Sequence, residues 1–400
     1  MPKLIPFLVV MVIAQSLMGM CFNAAGVLAP VAAPALGFSP AALGPYVGAS
    51  GVASLAGGMF IDGILRRYGA ARTLQISMLV CATGVLFAAS ANLPLVLLSS
   101  LVVGVGGGMM VPCAIHLVAR VTPPERAGMV FAINQCGIPA GFGLAGIVFP
   151  LLLRVTDWRM SLVLLAAALL LMIPLIQPMR RALDSDRDAA APLGGKALIA
   201  PLRLAWSVPN LRLLGWLAFS FMTVQMAFVS YLVSYVKIDL QFSHVEAGAA
   251  LLVSQVAAIL SRLFFGWLLD RVGRHFLVLG ILGSGSGLAA FVLGLANPHW
   301  TYSAVVLIAG LSGAFVMGWN AVYFAAVARM APEGRSGTAV GGTQIFTAAG
   351  SVVGPLVFAG VLGAGGGYGA GFVATSAFAL VMGARLLWID RTVASGGWKR

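Results

Sequence analysis

The chain has 400 residues, 60% hydrophobic and 9% charged. Soluble domains carry roughly 25% charged residues, so a water-soluble surface is excluded, as is intrinsic disorder. The net charge of +13 would suggest nucleic acid on a soluble domain; in a membrane protein it reflects loops that orient the chain.

Twelve continuous apolar segments follow one another, over 5–28, 41–63, 73–91, 95–118, 128–153, 159–178, 211–235, 247–269, 276–296, 303–327, 337–362 and 371–389. Each has the length that spans a bilayer as a helix. They are not the shorter, alternating segments of a β-barrel. The pattern predicts an all-α polytopic membrane protein of twelve transmembrane helices. The first segment is too long for a signal-peptide core, and Lys3 is the only charged side chain before it. With the N-terminus inside, 20 of the 24 Lys and Arg residues fall in cytoplasmic loops and tails. Arg154, Arg159 and Lys237 fall outside, and Arg262 lies within the eighth segment. This asymmetry predicts a cytoplasmic (inner) membrane protein with both termini in the cytoplasm. The polar stretch 179–210 reads as a cytoplasmic linker carrying a short interfacial helix. It separates an N-terminal six-helix bundle, 1–178, from a C-terminal one, 211–400.

The halves repeat. Ala119-Arg120-x-x-Pro123-x-x-Arg126-x-Gly128 recurs as Ala328-Arg329-x-x-Pro332-x-x-Arg335-x-Gly337, and Gln135 and Gly141 match Gln344 and Gly350 at the same offset of 209. Gly58-x-x-x-Asp62 matches Gly266-x-x-x-Asp270. Parallel six-helix repeats are a transporter architecture, with the substrate expected at the repeat interface.

The loop Gly266-x-x-x-Asp270-Arg271-x-Gly273-Arg274 resembles the G-x-x-x-D-R-x-G-R signature of the major facilitator superfamily. The first copy keeps Gly58 and Asp62, then has three extra residues before Arg66-Arg67-x-Gly69. Gly137-x-x-x-Gly141 and Gly350-x-x-x-Gly354-Pro355 resemble the superfamily's glycine-rich signature. The resemblance implies two pseudo-symmetric six-helix bundles working as a rocker switch. It also implies a charge latch at Gly58, Asp62, Arg66, Arg67, Gly266, Asp270, Arg271 and Arg274. Gly58 and Gly266 are expected to let neighbouring helices approach closely, and the two carboxylates to pair with loop cations or cap a helix.

Arg262 is the sharpest functional signal. It lies eight residues before Asp270, about 12 Å deeper in a helix. A lipid-facing charge there costs at least about 2.5–3.5 kcal/mol, so it is expected to line a polar cavity. There it can grip a carboxylate or act as an interhelical hydrogen-bonding group. Arg262-x-x-x-Gly266-x-x-x-Asp270 resembles the eighth span of the monocarboxylate and oxalate/formate branch, and that likeness implies a substrate-binding Arg262. Asn23, Asn134, Gln135, Asn320, Tyr323 and Gln344 are further substrate-binding candidates, with Gln15, Gly19, Trp319, Thr347 and Ser351 near them in the helical register. Each also reads as interhelical glue. His116 can titrate near neutral pH or be an interfacial histidine.

All eleven acids fall in loops or at segment ends, where a proton relay through the membrane has no use for them. The four cysteines lie in apolar runs without metal-ligand spacing, so buried free thiols are expected. Neither a catalytic constellation nor an ATP-binding loop is found. The expectation is a gradient-driven transporter of a small organic anion, a carboxylate above all, with no cofactor, metal or nucleic acid and acting as a monomer in the lipid bilayer. A co-transported proton and a counter-anion remain open. The alternative is an efflux carrier of neutral or amphipathic compounds, with Arg262 structural. An enzyme or a non-transporting sensor finds little support in the residues.

Overall fold

A computed structural model describes residues 4–39, 42–122, 130, 133–185, 187–190, 199–332 and 335–394; side chains at 59, 60, 62, 199, 200, 336, 337, 393 and 394 fall outside the description. The described chain is helical with no strand. The membrane helices are α1 Leu4–Ala35, α2 Leu43–Tyr68, α3 Ala70–Ala89, α4 Leu93–Val121, α5 Ile133–Leu152 and α6 Trp158–Leu183 in the first half. The second half contains α7 Pro209–Ile238, α8 His244–Val272, α9 His275–Gly294, α10 Tyr302–Met330, α11 Ser336–Gly363 and α12 Tyr368–Ala394. Among the described residues eleven of these helices are long and apolar enough to cross a membrane by themselves. A nine-residue helix, Ile199–Ser207, precedes α7. The repeat residues Pro123, Arg126 and Gly128 lie outside the described residues.

The chain clusters into two compact units, residues 1–39 with 49–196, and residues 40–48 with 197–400. In the first, α1 packs on α5 and α3 on both α4 and α6; in the second, α7 packs on α11, α8 on α10 and α9 on α12. Between helices in lipid this packing depends on small residues. A Cβ on Gly141 would strike the Ser16 carbonyl, and one on Gly350 the Phe219 carbonyl. The 209-residue repeat at Gly141 and Gly350 thus marks one close helix crossing in each unit.

Gly58 and Gly266 do not play that part. A Cβ at Gly58 would sit 3.6 Å from the Gly108 carbonyl, an ordinary contact, and at Gly266 it would meet nothing within 4 Å. The close approaches fall elsewhere: Gly57, Gly104 and Gly108 join α2 to α4 through the carbonyls of Val105, Ser50 and Ser54, and Gly313 abuts the Ser254 carbonyl between α8 and α10. The loop glycines have another reason. Gly69 and Gly273 hold φ of +89° and +67°, which side chains disfavour.

The four cysteines are free, as expected. Cys21, Cys81 and Cys113 are buried, while Cys136 is only half-buried because it stands at the turn that opens the regular part of α5.

Candidate functional site

Five acids at helix ends, Asp157, Asp184, Asp239, Glu246 and Asp390, hold backbone or loop groups in place. Asp157 caps α6 through Met160 N, Ser243 and Glu246 form a reciprocal capping box on α8, and Asp239 accepts the Tyr368 N–H at 3.0 Å where α12 begins. Burial raises the Asp239 carboxyl above the usual range, and the backbone N–H groups of Tyr368 and Gly369 act against that rise. Asp184, buried at the end of α6, accepts the N–H of Ala71 at 2.7 Å and of Arg72 at 3.1 Å. Arg180 Nε lies 3.3 Å from the same carboxylate. Arg120 ties the adjoining chain, donating to the Leu183 carbonyl at 2.8 Å and to Ser185 Oγ at 2.9 Å. In the second unit Asp390, at the end of α12, binds Arg274 at the start of α9 through both carboxylate oxygens.

These arrangements alter the expected latch. The Asp62 side chain lies outside the described residues. Asp270 is exposed and makes no ion pair among the described residues. The partners of the loop elements are Asp184 and Asp390 instead. Arg271 lies 4.6 Å from the Trp267 ring centre and Arg67 6.0 Å from that of Tyr68; Arg66 is exposed, and its carbonyl accepts the Asp188 N–H at 2.8 Å.

Within the second unit α10 is broken at Gly318 and Trp319, its regular parts ending at Met317 and resuming at Asn320. A chain break of this kind leaves carbonyls without helical partners. Two consecutive residues of α8 take up carbonyls there: Ser261 Oγ donates to Ala314, and Arg262 Nε donates to Met317 at 3.0 Å. The Arg262 side chain is half-buried. A guanidinium has five N–H donors, so bonds of this kind orient it without exhausting it.

Trp319 is buried and donates from Nε1 to Gln225 Oε1 at 2.9 Å. Tyr323, one turn on, is fully buried; its hydroxyl faces Thr343 and Thr347 but makes no hydrogen bond. Asn320 is half-buried at the start of the second part of α10. Gln344 is exposed while Thr347 is buried, so their common helical register does not give them a common environment.

In the first unit Gln15 of α1 donates to Asn134 Oδ1, a bond between buried side chains. The Nδ2 groups of Asn134 and of Asn23 are buried without a partner. Gln135 is half-buried, and Gly19 is pressed against Ile138 and Gly141. His116 is half-buried near the end of α4. Reading single residues missed Ser261, Gln225, Asp184 and Asp390. The last two could have been found, since each is the acid that closes the sixth helix of its half.

The family model described as Major Facilitator Superfamily matches residues 11–355. The chain belongs to the Major Facilitator Superfamily. This makes it a multi-pass membrane transporter and not an enzyme. Within the superfamily it is 25% identical over 354 residues to the 3-(3-hydroxy-phenyl)propionate transporter of Escherichia coli strain K12, covering 87% of this chain and 85% of that one. It is 26% identical over 329 residues to the 4-hydroxybenzoate transporter PcaK of Acinetobacter baylyi, covering 72% and 70%. The fold is shared with a POT family transporter solved in complex with 5-aminolevulinic acid, at a TM-score of 0.77 and 12% identity over 96% of both chains.

Proposed function

We propose that this transporter carries a small organic anion, a carboxylate, by rocker-switch alternating access, with Arg262 as the substrate's anchor. The observation that carries the reading is a cation held within a membrane helix, at a break in the helix beside it. An intramembrane charge is costly and marks a substrate path. The planar guanidinium matches a carboxylate in shape and charge. Two relatives over most of the chain are named for aromatic carboxylic acids, which favours the same class here.

Neutral side chains complete the proposed site. Tyr323 and Asn320 on α10 and Gln344 on α11 supply hydroxyl and amide groups in the second half; Asn23, Asn134 and Gln135 supply amides in the first. A buried donor without a partner carries a desolvation cost that an accepting ligand oxygen removes. Among the described residues Asp157, Asp184, Asp239, Glu246 and Asp390 are engaged at helix ends, which favours proton coupling through the substrate carboxylate. The bundles 1–178 and 211–400 are proposed as the moving bodies, with 179–210 between them. Gly58, Asp62, Arg66, Arg67, Gly266, Asp270, Arg271 and Arg274 are proposed as the gating loops. The proposal includes the cytoplasmic membrane with both termini inside, which the excess of Lys and Arg on one side supports, and a monomer as the working unit.

A second reading rests on the bond from Arg262 Nε to the Met317 carbonyl. If binding that carbonyl is the arginine's whole role, the carrier is an exporter of neutral or amphipathic compounds. Thermal stabilisation of the purified protein by a panel of mono- and dicarboxylates, wild type beside Arg262→Ala, separates the two. A bound ligand raises the melting temperature by mass action. The carboxylate reading expects a shift in the wild type that the variant lacks. Equal shifts in both, or shifts only with neutral compounds, support the exporter.

A further inference from the structure

A cavity of about 760 Å³ opens at the end of α6, lined by Gln177, Arg180, Arg181, Asp184, Ser185 and Arg187. We propose that it binds the phosphate headgroup of an anionic phospholipid.

Residues 180–188 hold three arginines and three aspartates, and Arg120 at the rim adds the charge that favours an anion. Asp184 is the acid among these lining residues, and its oxygens already receive two backbone N–H groups and Arg180. The side chains of Arg181 and Arg187 are exposed and make no ion pair or hydrogen bond among the described residues, while the Arg187 backbone N–H donates to the Asp184 carbonyl. Asp188 is exposed nearby, with its carboxylate receiving the Ala190 N–H. Arg120 reaches the rim through Ser185. The guanidinium forks of Arg181 and Arg187 suit a phosphate, which they can bind through paired N–H donors. A cavity of this volume is of ordinary ligand-site size.

The surroundings favour a lipid over a soluble phosphate. The outward face of α6 carries Leu171 and Leu175, exposed by 66% and 57%. At helical spacing the next residue on that face is Pro178, which lines the cavity. An acyl chain on the leucines therefore delivers a headgroup to the arginines. Basic pockets beside membrane helices are suited to such headgroups. All the residues that line the cavity belong to the first unit.

The test is native mass spectrometry of the full chain with phosphatidylglycerol, using phosphatidylcholine as the neutral control. The wild type should retain phosphatidylglycerol selectively. Removing both charges in Arg181→Gln/Arg187→Gln should weaken retention by about fivefold per arginine, about 25-fold in all. The melting temperature in phosphatidylcholine should not move, since both side chains are exposed. Arg181→Lys/Arg187→Lys should keep most of the retention. Equal retention by wild type and the Gln variant would overturn the proposal, and so would equal binding of phosphatidylcholine. Stabilisation by glycerol 3-phosphate as strong as by the lipid would overturn it too, by making the site one for soluble phosphates.

Discussion

The Asp184 carboxylate lies 2.7 Å from the Ala71 backbone nitrogen, with Arg72 N on its second oxygen at 3.1 Å. The last acid of the sixth helix thus closes the open N-terminus of the third. Four N–H groups at a helix start have no partner within the helix, and the positive end of the dipole adds to the attraction. Gly69 permits the contact, since a Cβ there would run into the Asp184 side chain. Asp184→Ala should destabilise the protein by about 1–3 kcal/mol, seen as a lower melting temperature in detergent. An unchanged melting temperature would show the contact to be dispensable.

The matching pair in the second unit should be worth less. Arg274 is 47% exposed, and solvent screens it. A double-mutant cycle with Arg274→Gln and Asp390→Asn should give a coupling of about 1 kcal/mol or less, diminishing at high salt. A coupling that is larger and insensitive to salt would contradict this ranking.

The glycines divide in the same way. Gly141→Val and Gly350→Val force a side chain into the backbone of the neighbouring helix. Overpacking costs about 1–3 kcal/mol or more, so both should lower the yield of monodisperse protein on size-exclusion chromatography. Gly266→Ala meets nothing within 4 Å and gains helix propensity of up to about 1 kcal/mol. It should leave yield and melting temperature unchanged or raised. A loss as severe as that of Gly141→Val would mean that Gly266 is crowded in another state of the transport cycle.

The membrane helices and the repeat could be read from the sequence because they rest on composition and period. Twenty apolar residues in a row leave the backbone little choice but helix, and the Gly141 and Gly350 match corresponds to one close crossing in each unit. The latch was less legible. The motif directs attention to Asp62 and Asp270, whereas the acids that hold the loops are Asp184 and Asp390, over a hundred residues away from them along the chain. Pairing across such distances leaves no periodic trace. The break in α10 was hidden for a related reason. Gly318 and Trp319 interrupt no run of apolar residues, and the helix tolerates the break because Ser261 and Arg262 take up nearby carbonyls.

Tyr323 gives a separate test. Its buried hydroxyl lacks a hydrogen bond, and removing an unsatisfied buried group is neutral or stabilising. Tyr323→Phe should therefore keep or raise the melting temperature without ligand while weakening carboxylate binding in the same assay. A lower melting temperature in the ligand-free protein would show that the hydroxyl is already satisfied.

Arg262 is proposed to hold a carboxylate during transport. Exchange of labelled 4-hydroxybenzoate and a panel of other carboxylates should be measured in proteoliposomes holding wild type, Arg262→Lys or Arg262→Ala. The wild type should exchange at least one of these acids. Loss of a charge-assisted hydrogen bond worth about 1.5–3 kcal/mol should slow the Ala variant by about 10- to 100-fold. The Lys variant should fall between them, since it keeps the charge and loses the planar fork. Exchange by Arg262→Ala at the wild-type rate would contradict the account and leave the arginine as a brace for the broken helix.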